Sequence, residues 1–268
     1  MAPDQRELLD GLFNWLVEPC LVLLRKELDE YFPTQDTTLA WAVCNLLECS
    51  LAQAAEAKLG LADPITGEGL DGGSRKYSVG TASFDGKVEF SNDDLVGAFL
   101  FSLVWGLGGT LSTESRQKMD EFLRSAISEA GFLDAHALSV FYKLKGWTVP
   151  EVDMSIKGAA AFPGKDSIYD HMYCPGDSRW RSWDSLLPKV NIPENAEFRD
   201  IIIPTIATLQ FDHIVPLLMA RGKGVLVCGP TGTGKSVAMN RLVLKTLPKE
   251  RFLPIVVGFS AQTSAGQT

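Results

Sequence analysis

One stretch constrains this 268-residue chain more than any other: Gly229-Pro230-Thr231-Gly232-Thr233-Gly234-Lys235-Ser236. It meets the phosphate-binding pattern G-x-x-x-x-G-K-[ST] at every fixed position. That pattern needs a strand in front of it and a helix behind it, and the flanks can supply both. Gly224-Val225-Leu226-Val227-Cys228 is a short apolar run suited to a buried strand. From Ser236 to Leu247, the apolar positions Val237, Met239, Leu242, Val243 and Leu247 predict one side of a helix that Pro248 ends. Phe252 to Phe259 predicts a second buried strand, with Val256, Val257 and Phe259 supplying β-favouring bulk. Strand, glycine loop, helix and strand form a parallel βαβ core of the α/β P-loop class.

Each loop residue has a physical task. Gly229, Gly232 and Gly234 carry no Cβ, so the backbone can take positive φ and wrap closely around an anion. Successive N–H groups then converge on the anion, reinforced by the positive end of the following helix. Lys235 is expected to reach the β- and γ-phosphates, and Ser236 to place its hydroxyl on Mg²⁺. Pro230, Thr231 and Thr233 complete the cradle. The expected ligand is ATP or ADP with Mg²⁺. The plainer alternative, a glycine-rich turn with an incidental lysine, does not account for the flanking elements.

Charge is unevenly placed along the chain. Residues 201–268 hold seven Lys and Arg against Asp212 and Glu250, whereas the whole chain has a net charge of −8. A positive field around an anion site is sensible. An acidic chain with no basic stripe argues against nucleic acid as a partner. The five cysteines (Cys20, Cys44, Cys49, Cys174, Cys228) are odd in number and form no C-x-x-C pair, which suits reduced thiols in the cytoplasm. No secretory signal opens the chain. Leu95 to Leu111 is uncharged, but it is short and ends at Gly108-Gly109, which predicts a buried core helix and no membrane partner.

Residues 1–145 read as a mostly helical module. Leu8, Leu12, Phe13, Trp15 and Leu16 recur at helical spacing, Pro19 is expected to interrupt, and Leu21 to Leu28 resumes. Leu39, Val43, Leu46 and Leu47 line another helix. An exposed insertion or small hairpin is expected near 63–90, where Gly, Asp and Ser cluster. Ser91, with Asp94 three residues on, predicts a boxed start to the apolar helix. Ser112 predicts the cap of a further helix bearing Met119, Phe122, Leu123 and Ile127. Residues 146–200 read as an irregular connector in which Trp180 and Trp183 anchor the chain to a domain surface. His171 and Cys174 are too few for a structural zinc, which takes four ligands. Residues 201–268 form the P-loop unit.

At this point the residues carry a family resemblance. The loop Gly229–Ser236, the Ile203-Pro204-Thr205 segment before it, and Phe259-Ser260-Ala261-Gln262-Thr263-Ser264 after it resemble the third AAA+ module of dynein heavy chains, the axonemal members above all. Upstream, Phe101-Ser-Leu-Val-Trp105-Gly-Leu-Gly-Gly109, with Ser115-Arg116 and Phe122, resembles the helical lid of the second AAA+ module. Tyr169-Asp170 and Trp180-x-x-Trp183 resemble the connector between the two. The resemblance covers almost the whole chain, in order.

It implies an α/β AAA+ half-domain preceded by a helical lid, within a microtubule-based motor of the cytoskeleton and cilium axoneme. The third module is regulatory in such motors. The implied partners are the remaining AAA+ modules of the same heavy chain, dynein intermediate and light chains, and microtubules reached through the parent motor. Carried over by position, Gly229–Ser236 would bind the phosphates and Mg²⁺, and Pro204 and Thr205 would lie near the adenine. The family usually continues Pro-Thr-x-Asp-Thr, whereas Ala207 stands at the Asp position here. The only carboxylate after Lys235 is Glu250, so no Walker B acid, water-positioning group or arginine finger is assigned and no catalytic residue is named. The chain is therefore expected to be a truncated P-loop unit, inactive alone. Two other readings stand beside it: an independent P-loop ATPase or small-molecule kinase, and a scaffold that keeps nucleotide as a structural ligand.

Overall fold

The computed structural model describes residues 3–59, 88–127, 160–188, 204–247, 252–259 and 266. Most of the expected insertion, at 60–87, lies outside the described residues, as do 145–159, 189–203 and the Ser260–Ala265 motif.

The chain opens with α1 (Pro3–Glu27), which runs unbroken through Pro19. The expected interruption does not occur. A proline inside a helix costs about 3 kcal/mol, whereas each fully buried large apolar side chain returns roughly 1.5–3 kcal/mol. Cys20, Leu23 and Leu24, beyond the proline, enter the same core as Leu12, Trp15 and Leu16 before it. Continuing the helix therefore wins over breaking it.

Helix α2 (Asp36–Lys58) starts after Gln35, which makes no side-chain cap, so Asp36 lies inside the first turn. Helix α3 (Asn92–Gly108) begins as its sequence predicts. Ser91 Oγ accepts from the Asp94 N–H at 3.1 Å, and the Asp94 carboxylate accepts from the Ser91 N–H at 3.2 Å. Nearly every residue of α3 is buried, because α1 and α2 pack on it from different sides. No helix among the described residues is long and apolar enough to cross a membrane. Helix α4 (Thr113–Ala126) is capped by Ser112 and buries Met119 and Leu123.

Close packing around α3 leaves no room for a Cβ at several glycines, Gly97 and Gly106 among them. A Cβ on Gly97 would lie 2.1 Å from the Tyr173 ring, and one on Gly106 would lie 2.7 Å from the backbone of Val43. Phe90, at the far end of the expected exposed insertion, is instead buried. The Lys58 ammonium lies 4.9 Å over its ring, and its carbonyl accepts from Gln5 Nε2 at 2.8 Å.

The connector is more ordered than its composition predicts. Strands β1 (His171–Cys174) and β2 (Arg179–Ser182) form an antiparallel hairpin, with His171 opposite Ser182 and Cys174 opposite Arg179. Trp183 is fully buried with Phe101, Met172, Tyr173 and Cys174, and Trp180 Nε1 donates to the Ala160 carbonyl at 3.1 Å. The tryptophans anchor the connector to α3, as expected. Helix α5 (Ile206–Met219) follows, then α6 (Lys235–Arg241), which continues into a π-helical turn over Leu242–Thr246.

Among the described residues, the parallel sheet expected around the glycine loop is not present. The hairpin is the only sheet among the described residues, and it is antiparallel. Residues 223–230 and 252–259 carry no regular secondary structure and make no ladder. Their alternation is still visible, since Val225 and Val227 are half-buried while Leu226 and Leu253 stand almost fully exposed, at 78% and 88%. The physical reason is non-local. A segment becomes a strand only when a neighbour takes its N–H and C=O groups, and no described residue does so for these two. The expected helix is present from Lys235 to Thr246, but it passes from α to π geometry at Leu242, and Val237 on its predicted apolar side is exposed.

Candidate functional site

The site is built from α5 onward. Thr205 caps that helix reciprocally with Thr208: the Thr208 N–H donates to Thr205 Oγ1 at 3.2 Å, and the Thr205 N–H donates to Thr208 Oγ1 at 2.7 Å. A threonine pair thus fixes the start of α5, and Ala207 between them is exposed. Pro204 precedes the cap, where its fixed φ suits a chain about to turn into a helix. Among the described residues, the hydrogen bonds of Thr205 run to Thr208 and Leu209 within α5 and not to the glycine loop.

At its other end α5 closes on Gly222, whose φ is +68°. The Gly222 N–H donates to the Met219 carbonyl at 3.0 Å and the Lys223 N–H to the Leu218 carbonyl at 3.1 Å. This is the Schellman arrangement, which sets the angle at which the chain leaves the helix. From there the chain runs without regular secondary structure into the loop at Gly229.

Within the loop, Gly229, Gly232 and Gly234 have φ of +155°, +82° and +79°. A Cβ at Gly232 or Gly234 would meet nothing within 4 Å, so conformation and not space calls for glycine there. Thr233 Oγ1 donates to the Pro230 carbonyl at 3.0 Å and tightens the turn. The Lys235 ammonium curls back over the loop, donating to the Pro230 carbonyl and, at 3.1 Å, to Thr233 Oγ1. Thr231 and Ser236 are exposed, Ser236 in the first turn of α6, whose N-terminal N–H groups have no helical partner. The loop thus brings together the Lys235 cation, the hydroxyls of Thr231, Thr233 and Ser236, and the N–H end of a helix around left-handed glycines. That donor set fits an anionic phosphate and a hydroxyl ligand for Mg²⁺.

The loop helix is held from behind. Arg241 Nη2 donates to both oxygens of Asp212 at 2.6 and 2.7 Å, and Leu242 and Leu247 pack with Val215 and Ala220 of the α5 region. In turn α5 docks on the helical module. Gln210 Nε2 donates to the Tyr169 carbonyl at 2.9 Å, and the His213 ring meets Phe101 and Trp183 edge-on. Sequence reasoning missed α5 and these supports. The Thr-x-x-Thr start and the Gly222 stop bracketing an apolar run were the signals that could have found it.

Comparison with known proteins settles the family. Residues 9–185 match the dynein heavy chain AAA lid domain, and residues 190–268 match the P-loop containing dynein motor region. The chain belongs to the dynein heavy chain family. Dynein axonemal heavy chain 3 of Mus musculus is 32% identical over 271 residues, covering 100% of this chain and 6% of its own length. Dynein axonemal heavy chain 12 of Rattus norvegicus is 30% identical over 98% of this chain and 7% of its own length. Dynein axonemal heavy chain 2 of Mus musculus is 30% identical over 62% of this chain. This dynein heavy chain sequence therefore spans only 6–7% of the length of the first two relatives. Its AAA+ class follows from the lid and P-loop matches.

Proposed function

We propose that this chain is the nucleotide-binding part of a dynein heavy chain motor, running from the lid of the second AAA+ module into the P-loop of the third. Residues 1–145 are the lid-like module, 146–200 the connector and 201–268 the P-loop unit. Gly229–Ser236 hold the phosphates of ATP or ADP, Lys235 contacts the β- and γ-oxygens, and Ser236 ligates Mg²⁺. Pro204 and Thr205 border the adenine. The observation that carries this reading is the left-handed glycine loop ending in Lys235-Ser236, inside a chain that resembles axonemal dynein heavy chains throughout. The whole-chain resemblance favours it over an independent P-loop ATPase or small-molecule kinase.

The motor context brings the remaining partners and the place: other AAA+ modules, intermediate and light chains, and microtubules, in the cytoskeleton of the cilium axoneme. Within it the loop tunes the force cycle by its nucleotide state. Mg²⁺, when bound, draws negative charge from the terminal phosphates. Lys235 and Ser236 hold the ground-state triphosphate, and binding that is no stronger in the transition state does not raise the rate. Between Lys235 and Thr268 the one carboxylate side chain is Glu250, and no water-positioning role is assigned to it.

The test is titration with a fluorescent ATP analogue in Mg²⁺. Lys235→Ala should weaken binding by roughly 2–3 kcal/mol, the scale of a lost charge-assisted contact, with an unchanged circular dichroism spectrum. Equal affinity in the two folded proteins removes the site. Steady-state ATPase of the isolated chain that disappears in Lys235→Ala promotes the independent-enzyme reading.

A further inference from the structure

Resting on the phosphate-loop reading above, we propose that Glu48 and Glu56 of α2 are positioning residues for the nucleotide loop. They act through Lys223 and Arg221, which flank the glycine that aims the chain into it.

The geometry is a two-point clamp across 165 and 175 residues of sequence. Arg221 Nη2 lies 3.3 Å from Glu56 Oε2, and Lys223 Nζ lies 2.6 Å from Glu48 Oε2. The first pair is buried, its side chains 7% and 9% exposed, whereas the second is open to water on the glutamate side. Arg221 also reaches the Leu217 carbonyl at 3.5 Å. Between the two cations sits Gly222, the left-handed end of α5. Fixing the residues on either side of that turn fixes the direction of 223–230, and six residues after Lys223 the loop begins at Gly229.

The clamp matters because, among the described residues, this segment is otherwise held mainly by Val225 packing on Val215, Ala220, Leu242 and Leu247. Residues 223–230 make no ladder, and the loop residues Gly229–Gly234 are exposed. A phosphate cradle works only when its N–H donors converge, so a segment free to swing must be ordered when nucleotide binds, at the expense of affinity. Holding it against α2 removes part of that ordering in advance. The acidic helical module thereby contributes to nucleotide affinity without touching nucleotide. By reciprocity, nucleotide on the loop strengthens the grip on α2 by the same factor.

The measurement is the Kd of the full 268-residue chain for a mant-labelled ATP with Mg²⁺, each variant first shown folded by circular dichroism. Glu48→Lys sets two cations against each other and should raise Kd about threefold, as should Lys223→Glu, in line with a solvent-weakened pair. The swapped double variant, Glu48→Lys with Lys223→Glu, should return to within about 1.5-fold of wild type, a rescue that general loss of stability does not produce. Glu56→Gln leaves Arg221 buried without its counter-charge and should raise Kd about tenfold. Unchanged Kd in the folded single variants, or a double variant no better than either single, overturns the clamp while Lys235→Ala still loses binding. Wild type and Lys235→Ala binding alike withdraws the phosphate-loop reading itself, and the clamp with it.

Discussion

Arg241 and Asp212 join the helix behind the glycine loop to α5: one guanidinium nitrogen donates to both carboxylate oxygens, at 2.6 and 2.7 Å, across 29 residues. The side chains keep 26% and 31% of their exposure, so water weakens the attraction. Pairs of this kind are worth about 0.2–1 kcal/mol. Asp212→Asn should therefore lower the free energy of urea unfolding by less than about 1 kcal/mol. A loss of about 3 kcal/mol or more would show the pair to be desolvated and the tie between helices stronger than its exposure implies.

Gly97 should tolerate no larger residue. Its missing Cβ is filled by the Tyr173 ring, whose hydroxyl donates to the Asp93 carbonyl at 2.8 Å and is thereby held in place. Gly97→Ala should destabilise the chain by about 1–3 kcal/mol or more, the scale of overpacking a filled core. Removing the ring as well, in Gly97→Ala with Tyr173→Ala, should cost less than the two single changes added together. Additive costs would mean that the two residues do not press on each other.

Thiol labelling at pH 8 should divide the cysteines by burial. The thiolate is the reactive form, and burial pushes Cys49 up to about 11 and Cys174 up to about 12, with buried Cys20 raised as well. Exposed Cys44 and Cys228 should react with Ellman's reagent first. Cys228 stands directly before Gly229, so Mg·ATP should slow its reaction and leave Cys44 alone. Equal protection of both would point to a global effect in place of a local one.

The hairpin turn should be sensitive to acid. The Arg181 guanidinium, hydrogen-bonded to Asp177 along with Arg179, holds that carboxyl below its ordinary value. A depressed folded pKa stabilises above the unfolded value, about 4, and the benefit fades as pH falls through the folded one. Wild type should accordingly exceed Asp177→Asn in urea midpoint at pH 7, with the gap closing below about pH 4. A gap that persists in acid would rule out the carboxylate as its source.

Local signals were read well where the stabilising partner is close in sequence. Ser91 and Asp94 are three residues apart, so their reciprocal cap needs nothing but the first turn of α3. The same holds for Ser112 on α4 and for the left-handed glycines of the loop, whose φ values follow from eight consecutive residues. Pro19 shows the limit of local reading. Its helix-breaking tendency is real, but Leu23 and Leu24 beyond it bury against other helices, and that cannot be seen from the proline.

The sequence by itself determined the family motifs, the helical character of the first module, the apolar positions of α1, α2 and α4, and the glycine loop with Lys235 and Ser236. All of these are properties of contiguous residues with a fixed period or spacing. Tertiary structure alone decided the rest: the hairpin pinned by Tyr173 against Gly97, the clamp of Glu56 on Arg221, and the runs at 223–230 and 252–259, which form a ladder with no described residue. A ladder, a buried ion pair and a ring lodged over a glycine each need a partner distant in sequence. No pattern within either segment specifies where that partner will be.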